Sequence, residues 1–145
     1  MTLVDDIREA WSWLGVEPAR VVRVNRFGNV VFADAQDRHW RLCPEELECT
    51  CIAGSAPEFA RLAADEEFAE DWDMAALADP AEERFGRQPA GRCFCFKIPG
   101  VLGGRYELDN VGTIALSELV RFSGDVARQI RDLPDGARVQ LKLTE

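Results

Sequence analysis

Four of the five cysteines stand in two Cys-x-Cys pairs, Cys49 and Cys51 in "CTC" and Cys93 and Cys95 in "CFC". Thiols are soft metal ligands, and paired thiols also do redox chemistry. The spacing argues against both. Two sulfurs on one zinc lie at most about 4.6 Å apart, twice a Zn–S bond of ~2.3 Å. Residues i and i+2 of a strand are about 6.6–7 Å apart, and both pairs lie in strand-like sequence. A disulfide within a pair is disfavoured too, because the Cβ atoms must come within about 4.5 Å. These cysteines are therefore expected to be small, mostly buried residues on strand faces. A four-sulfur metal site would need the two strands to be neighbours, and it stands as an alternative on that condition alone.

The other chemical candidates are sparse. His39 is the single histidine, so any His-activated nucleophile would have to use it. In "DRHWRLC" it alternates with Arg41 and Cys43, too far from Cys43 along a strand for direct contact, and it reads as a solvated strand residue. "GVLGGRY" is the one glycine-rich loop. It lacks both the Gly-Lys-Ser/Thr ending and the G-x-G-x-x-G spacing of phosphate loops. Nothing here argues for an enzyme, and no cofactor and no metal is expected.

Charge is more informative. The formal net charge is −9, and nine of the 26 acids fall between Ala64 and Glu83 with no base among them. Elsewhere 17 acids meet 17 bases, so one segment carries the whole imbalance. Such a field repels nucleic acid and anionic membrane and attracts basic surfaces. Five arginines, Arg20, Arg23, Arg26, Arg38 and Arg41, make the preceding region locally basic, a weak nucleic-acid signal.

These residues must be positioned by a chain of 145 residues, 47% hydrophobic, which is the size of one ordinary domain with a real core. The N-terminus fits neither a secretory signal nor a membrane span. With an odd number of cysteines, that suggests reduced thiols in the cytoplasm. Thr2 can cap a first helix with Leu3, Ile7, Trp11 and Leu14 at helical spacing and Gly15 as its stop. "ARVVRVNR", "VVFADA", "HWRLC" and "ELECTCIAG" alternate, with short turns between them, and read as an antiparallel meander. From Pro57 to Arg84 the pattern turns helical. Phe68, Trp72 and Ala76 can share a buried stripe, or Asp71 can cap a new helix carrying Met74 and Leu77. "RCFCFKI" is a strand, and "RYEL" resumes as another.

"SELVRFSGDVARQIRDL" is the clearest helix, with Leu116, Leu119, Phe122, Val126, Ile130 and Leu133 along its apolar stripe. Gly124 costs about 1 kcal/mol there relative to Ala, which points to close approach by a neighbouring backbone. "LPDG" is a type I turn, and "ARVQLKL" a last strand with Val139, Leu141 and Leu143 on one face. The fold class is α+β, with a mostly antiparallel sheet packed with helices, in a single domain over 1–145. Its expected subregions are a helix plus meander (1–54), an acidic helical segment (57–86) and a strand-loop-helix-strand core (91–145).

That last core carries a resemblance. Phe96, Lys97, Pro99, Leu102, Gly103, Gly104, Tyr106, Asn110, Gly124, Pro134 and Gly136 stand in "FKIPGVLGGRYELDN", "SG" and "DLPDG". Over Gly91–Leu143 the chain resembles the C-terminal immunity domain of type VI secretion immunity proteins of the Tdi type, which neutralise DNase effectors. It looks like a stand-alone copy of that domain. The resemblance implies a non-catalytic protein whose partner is a cognate toxin, with no nucleic acid and no membrane. The motif residues, all turns and core, identify a fold better than a site. The expected contact row is therefore Asp65, Glu66, Glu67, Glu70, Asp71 and Asp73, which could mimic phosphate toward a basic nuclease cleft. Trp72 is assigned to packing ahead of anchoring. A small-molecule-binding or sensory module with a pocket beside "PGVLGG" is the alternative reading.

Overall fold

The structure, a computed structural model, describes residues 2–133. The turn with Pro134 and Gly136 and the last strand with Val139, Leu141 and Leu143 lie outside the described residues. Helix α1 (Leu3–Trp11) begins as its sequence dictates. The Thr2 hydroxyl accepts the Asp5 amide at 3.2 Å while the Asp5 carboxylate accepts the Thr2 amide at 3.0 Å. This reciprocal cap satisfies donors that a helix start leaves orphaned. Gly15, at φ 79°, ends the following 3₁₀ turn, and Leu14 on that turn is exposed rather than buried in the helix stripe.

Strands β1 (Pro18–Val24), β2 (Val30–Asp34), β3 (His39–Cys43) and β4 (Glu48–Ala53) form an antiparallel sheet in the order β1-β2-β3-β4. The meander is therefore as the alternation implies. Its second strand is buried on both faces, which sets the layering. Val30 and Phe32 enter a core with Ile7 and Trp11 of α1, while Val31 packs with Phe59 and Trp72 on the opposite side. Period-two side chains thus serve two cores.

The acidic segment folds as three helices, α2 (Ala56–Ala63), α3 (Glu66–Asp73) and α4 (Ala75–Phe85). Met74 adopts a left-handed conformation at φ 49° and ends α3. Ala76 consequently belongs to α4 and is exposed, so it does not continue the Phe68–Trp72 stripe. Asp71 lies inside α3 and caps nothing.

A second, two-stranded sheet pairs β5 (Arg92–Phe96) with β6 (Val111–Ala115). "RYEL" is not a strand. Tyr106 turns its ring edge-on to Phe96 at 4.6 Å, and the chain then enters a 3₁₀ turn at Leu108–Asn110. The true partner, "VGTIA", hides its alternation behind Gly112. Phe27, Phe94, Phe96 and Val111 pack with Ala78 and Ala81 of α4 beneath this sheet.

Helix α5 (Leu116–Ile130) buries Leu119 and Val126 as its spacing requires, and also Val120, Ser123, Gly124 and Ala127. Leu133 is exposed and falls outside that stripe. A Cβ on Gly124 would stand 2.5 Å from the Ala10 carbonyl oxygen, so glycine permits the α1–α5 approach. Arg121 spans the same seam to the buried Asp6 at 2.9 Å.

Candidate functional site

Two of the sequence candidates for chemistry are placed by the sheets. Strands β4 and β5 belong to different sheets, so the neighbouring-strand arrangement needed for a four-sulfur site is not formed. All five cysteines are free; Cys49 and Cys93 are buried, Cys95 is half-buried and Cys51 is exposed, contrary to its expected burial. Burial pushes the Cys49 and Cys93 thiols up to about 12, which removes thiolate reactivity near neutral pH. Among the described residues no three His, Cys, Asp or Glu side chains are grouped to hold a metal ion. His39 is not solvated. It is 1% exposed, stacked on Phe59 with centroids 5.1 Å apart, and its Nδ1 lies 2.9 Å from the Asp37 carbonyl oxygen. Its position on the strand face covered by α2 explains the burial.

The six acids of the expected contact row are all exposed, on α3 or at its start. They do different work. Asp65 caps α3, its carboxylate accepting the amides of Glu67 at 2.9 Å and Phe68 at 3.2 Å. Asp71 accepts Arg41 Nη1 at 2.6 Å. Glu66, Glu67, Glu70 and Asp73 project outward, because Phe68 and Trp72 anchor the other side of the helix. Trp72 is buried and stacks on Phe68 at 6.2 Å, so it is a packing residue. Farther along, Asp79 and Glu82 both bridge Arg26, at 2.9 and 3.6 Å, which neutralises part of the α4 acid set.

Beside α3 lies a cleft of about 620 Å³. Its walls are the end of α3, the start of α4, the outward face of β4 and the ring of Tyr106. Five acids line it, Glu45, Glu46, Glu48, Glu70 and Asp71, against the single base Arg41. Only Glu70 and Asp71 belong to the expected row. Glu45, Glu46 and Glu48 come from "PEELE", a 3₁₀ turn and strand start whose acid density could have flagged them. Their distance in sequence from α3 hid the convergence. Leu47 and Met74, two of the three non-glycine residues with positive φ among the described residues, flank this cleft. Such conformations persist only where surrounding contacts enforce them.

A polar chain runs beneath the cleft. Arg41, stacked 5.2 Å from the Trp72 ring centroid, donates from Nε to Asn29 Oδ1 at 3.1 Å. Asn29 Nδ2 in turn lies 2.9 Å from both carboxylate oxygens of Glu45, which also accepts the Cys43 thiol at 3.1 Å. Burial, with the Glu45 charge next, holds the Cys43 thiol well above its ordinary range. Cys43 therefore acts as a thiol donor. Glu46 is raised above the ordinary carboxylate value by its burial first, then by the Glu45 and Glu48 charges. Tyr106 donates its hydroxyl to Glu46.

The motif loop between β5 and β6 is held by hydrogen bonds of its own. The Lys97 amide bonds the Asn110 carbonyl at 2.7 Å. The Asn110 side chain accepts the Ile98 amide at 3.0 Å and donates to the carbonyls of Ile98 and Arg105, both at 2.9 Å. A Cβ on Gly104 would stand 1.8 Å from the Ile98 carbonyl oxygen, and Gly103 holds φ 95°. Pro99 is buried and Leu102 packs on the main core. Ile98, Val101 and Tyr106 are left facing outward, 49%, 54% and 52% exposed.

None of the described helices is long and apolar enough to cross a membrane. The fold is similar to the crystal structure of Atu4351 from Agrobacterium tumefaciens, with a TM-score of 0.58 at 12% identity. That match covers 83% of this chain, which spans 62% of the length of the other. No curated protein matches the chain. Residues 53–127, which hold the three acidic helices, the motif loop with its Asn110 clamp and the Gly124 contact, match the family described as "T6SS immunity protein Tdi1, C-terminal". That is just over half of the chain, and the chain belongs to this type VI secretion immunity family.

Proposed function

We propose that this chain, a type VI secretion immunity protein that neutralises a toxin, does so by electrostatically guided contact through α3. Family membership suggests a non-enzymatic role, and the contact reading needs no catalysis. The observation that carries it is the outward row of Glu66, Glu67, Glu70 and Asp73, held in place by the inward Phe68 and Trp72. A single-sign surface of this kind raises encounter rates with a basic partner and excludes nucleic acid and anionic membrane from the same face. The toxin it suits has a basic surface, as nuclease clefts do. Asp65 and Asp71 contribute field while serving α3 and Arg41.

Reversal of Glu66, Glu67 and Glu70 to lysine tests this against the cognate type VI effector domain, identified by pull-down with the wild-type chain. Association should slow by roughly 10- to 100-fold at low salt and lose most of its salt dependence. Unchanged on-rates would remove the electrostatic mechanism. A second reading draws on the cleft, whose size of about 620 Å³ suits a small ligand. Calorimetry with spermidine, a small cation matched to five lining acids, separates the two.

A further inference from the structure

We propose that the motif loop is the second half of the toxin-contact surface, its apolar tip gripping a basic amphipathic segment whose cations enter the cleft behind Tyr106. This rests on the immunity reading above and names the chemistry of the partner. Three of the seven exposed large hydrophobic residues among the described ones, Ile98, Val101 and Tyr106, fall within nine positions on this loop. They are not exposed through slack. The Asn110 clamp, the Gly104–Ile98 contact, the buried Pro99 and the core-packed Leu102 fix the backbone beneath them. A surface already rigid loses little entropy on binding, and central apolar and aromatic residues on such surfaces dominate affinity.

Tyr106 joins this tip to the cleft. Its ring lines the cleft, its edge rests on Phe96 and its hydroxyl is bonded to Glu46. Behind it the lining acids outnumber the one base, Arg41, which is already paired with Asp71 and stacked on Trp72. The surface therefore asks for apolar side chains at the tip and lysine or arginine one step further in.

The test uses the full chain and its cognate type VI effector domain, identified by pull-down and inactivated, with binding followed by biolayer interferometry and folding by urea midpoint. Ile98→Ser with Val101→Ser should weaken binding about tenfold or more, mainly through faster dissociation, with the midpoint unchanged. Val101→Lys should weaken binding further, and Val101→Glu should weaken it less than the lysine. Wild-type binding with loop variants inside about twofold of it would overturn the inference and leave the immunity reading intact, because a truncated contact of this size would register. A gain with lysine and a loss with glutamate would overturn the basic partner. If the wild-type chain does not bind the effector domain at all, the immunity reading fails and this inference with it.

Discussion

Gly124 and Gly104 mark two regions built for opposite purposes. At Gly124 the absent side chain lets α5 lie against Ala10 of α1, and its helix neighbours Val120, Ser123 and Ala127 are buried with it. At Gly104 the absent side chain lets the loop fold back on the Ile98 carbonyl, and what results is exposure, with Ile98, Val101 and Tyr106 held outward. The first region converts close approach into core. The second converts it into a presented surface beside an acidic cleft. Both glycines fall within residues 53–127, the stretch that matches the family, yet only the second lies beside exposed apolar side chains. Residues that stabilise and residues that recognise are thus separable in this chain, and substitution should separate them experimentally.

The strongest break is Gly124→Val. Its Cβ meets the Ala10 carbonyl oxygen at 2.5 Å and the Ala10 Cβ at 2.7 Å, so α1 and α5 must part. A loss of about 3 kcal/mol or more in urea unfolding is expected. A loss below about 1 kcal/mol would mean the seam does not carry the fold. Next in size is Asn110→Ala, which removes three hydrogen bonds within the loop. It should cost roughly 2 kcal/mol, since the Ile98 and Arg105 groups it served are partly solvated. It should also weaken effector binding by more than stability alone explains, as rigidity is lost. Equal effects of both variants on stability and binding would erase the distinction between the regions.

The smallest effect is a pH dependence belonging to the meander. Burial works to raise the Asp34 carboxyl, but hydrogen bonds from Trp40, Arg38 and two backbone amides outweigh it and leave the group below the ordinary 3.8. The unfolded chain therefore takes up this proton at higher pH than the folded one. The stability Asp34 contributes is present above 3.8 and is lost as pH falls through its lower folded value. Asp34→Asn should flatten the acid limb of a stability-against-pH curve below about pH 4 and leave effector binding at neutral pH unchanged. A limb that stays as steep would assign the acid loss to other carboxylates.

The meander was legible because its strands alternate and its turns are short, so each contact is made with a chain neighbour. Helix α5 was legible for the same local reason. Strand β6 was not, because Gly112 interrupts its pattern and its partner is fifteen or more residues away in "RCFCF". The acidic cleft was half legible. Local acid density marked α3, but not that Glu45, Glu46 and Glu48 meet Glu70 and Asp71 across one cleft.

What the sequence by itself determined is what short-range periodicity, capping and turn chemistry specify. The Thr2 cap, the four-strand meander, the outward acids of α3 and the turns of the motif loop all follow from neighbours along the chain. Tertiary structure alone decided that His39 is covered by Phe59, that Arg41 lies on Trp72, and that Tyr106 meets Glu46. Those pairs lie twenty to sixty positions apart, and no local propensity encodes them. They form because β2 is buried on both faces, which obliges α2 and α3 to close over one side and leaves a cleft where α3 ends.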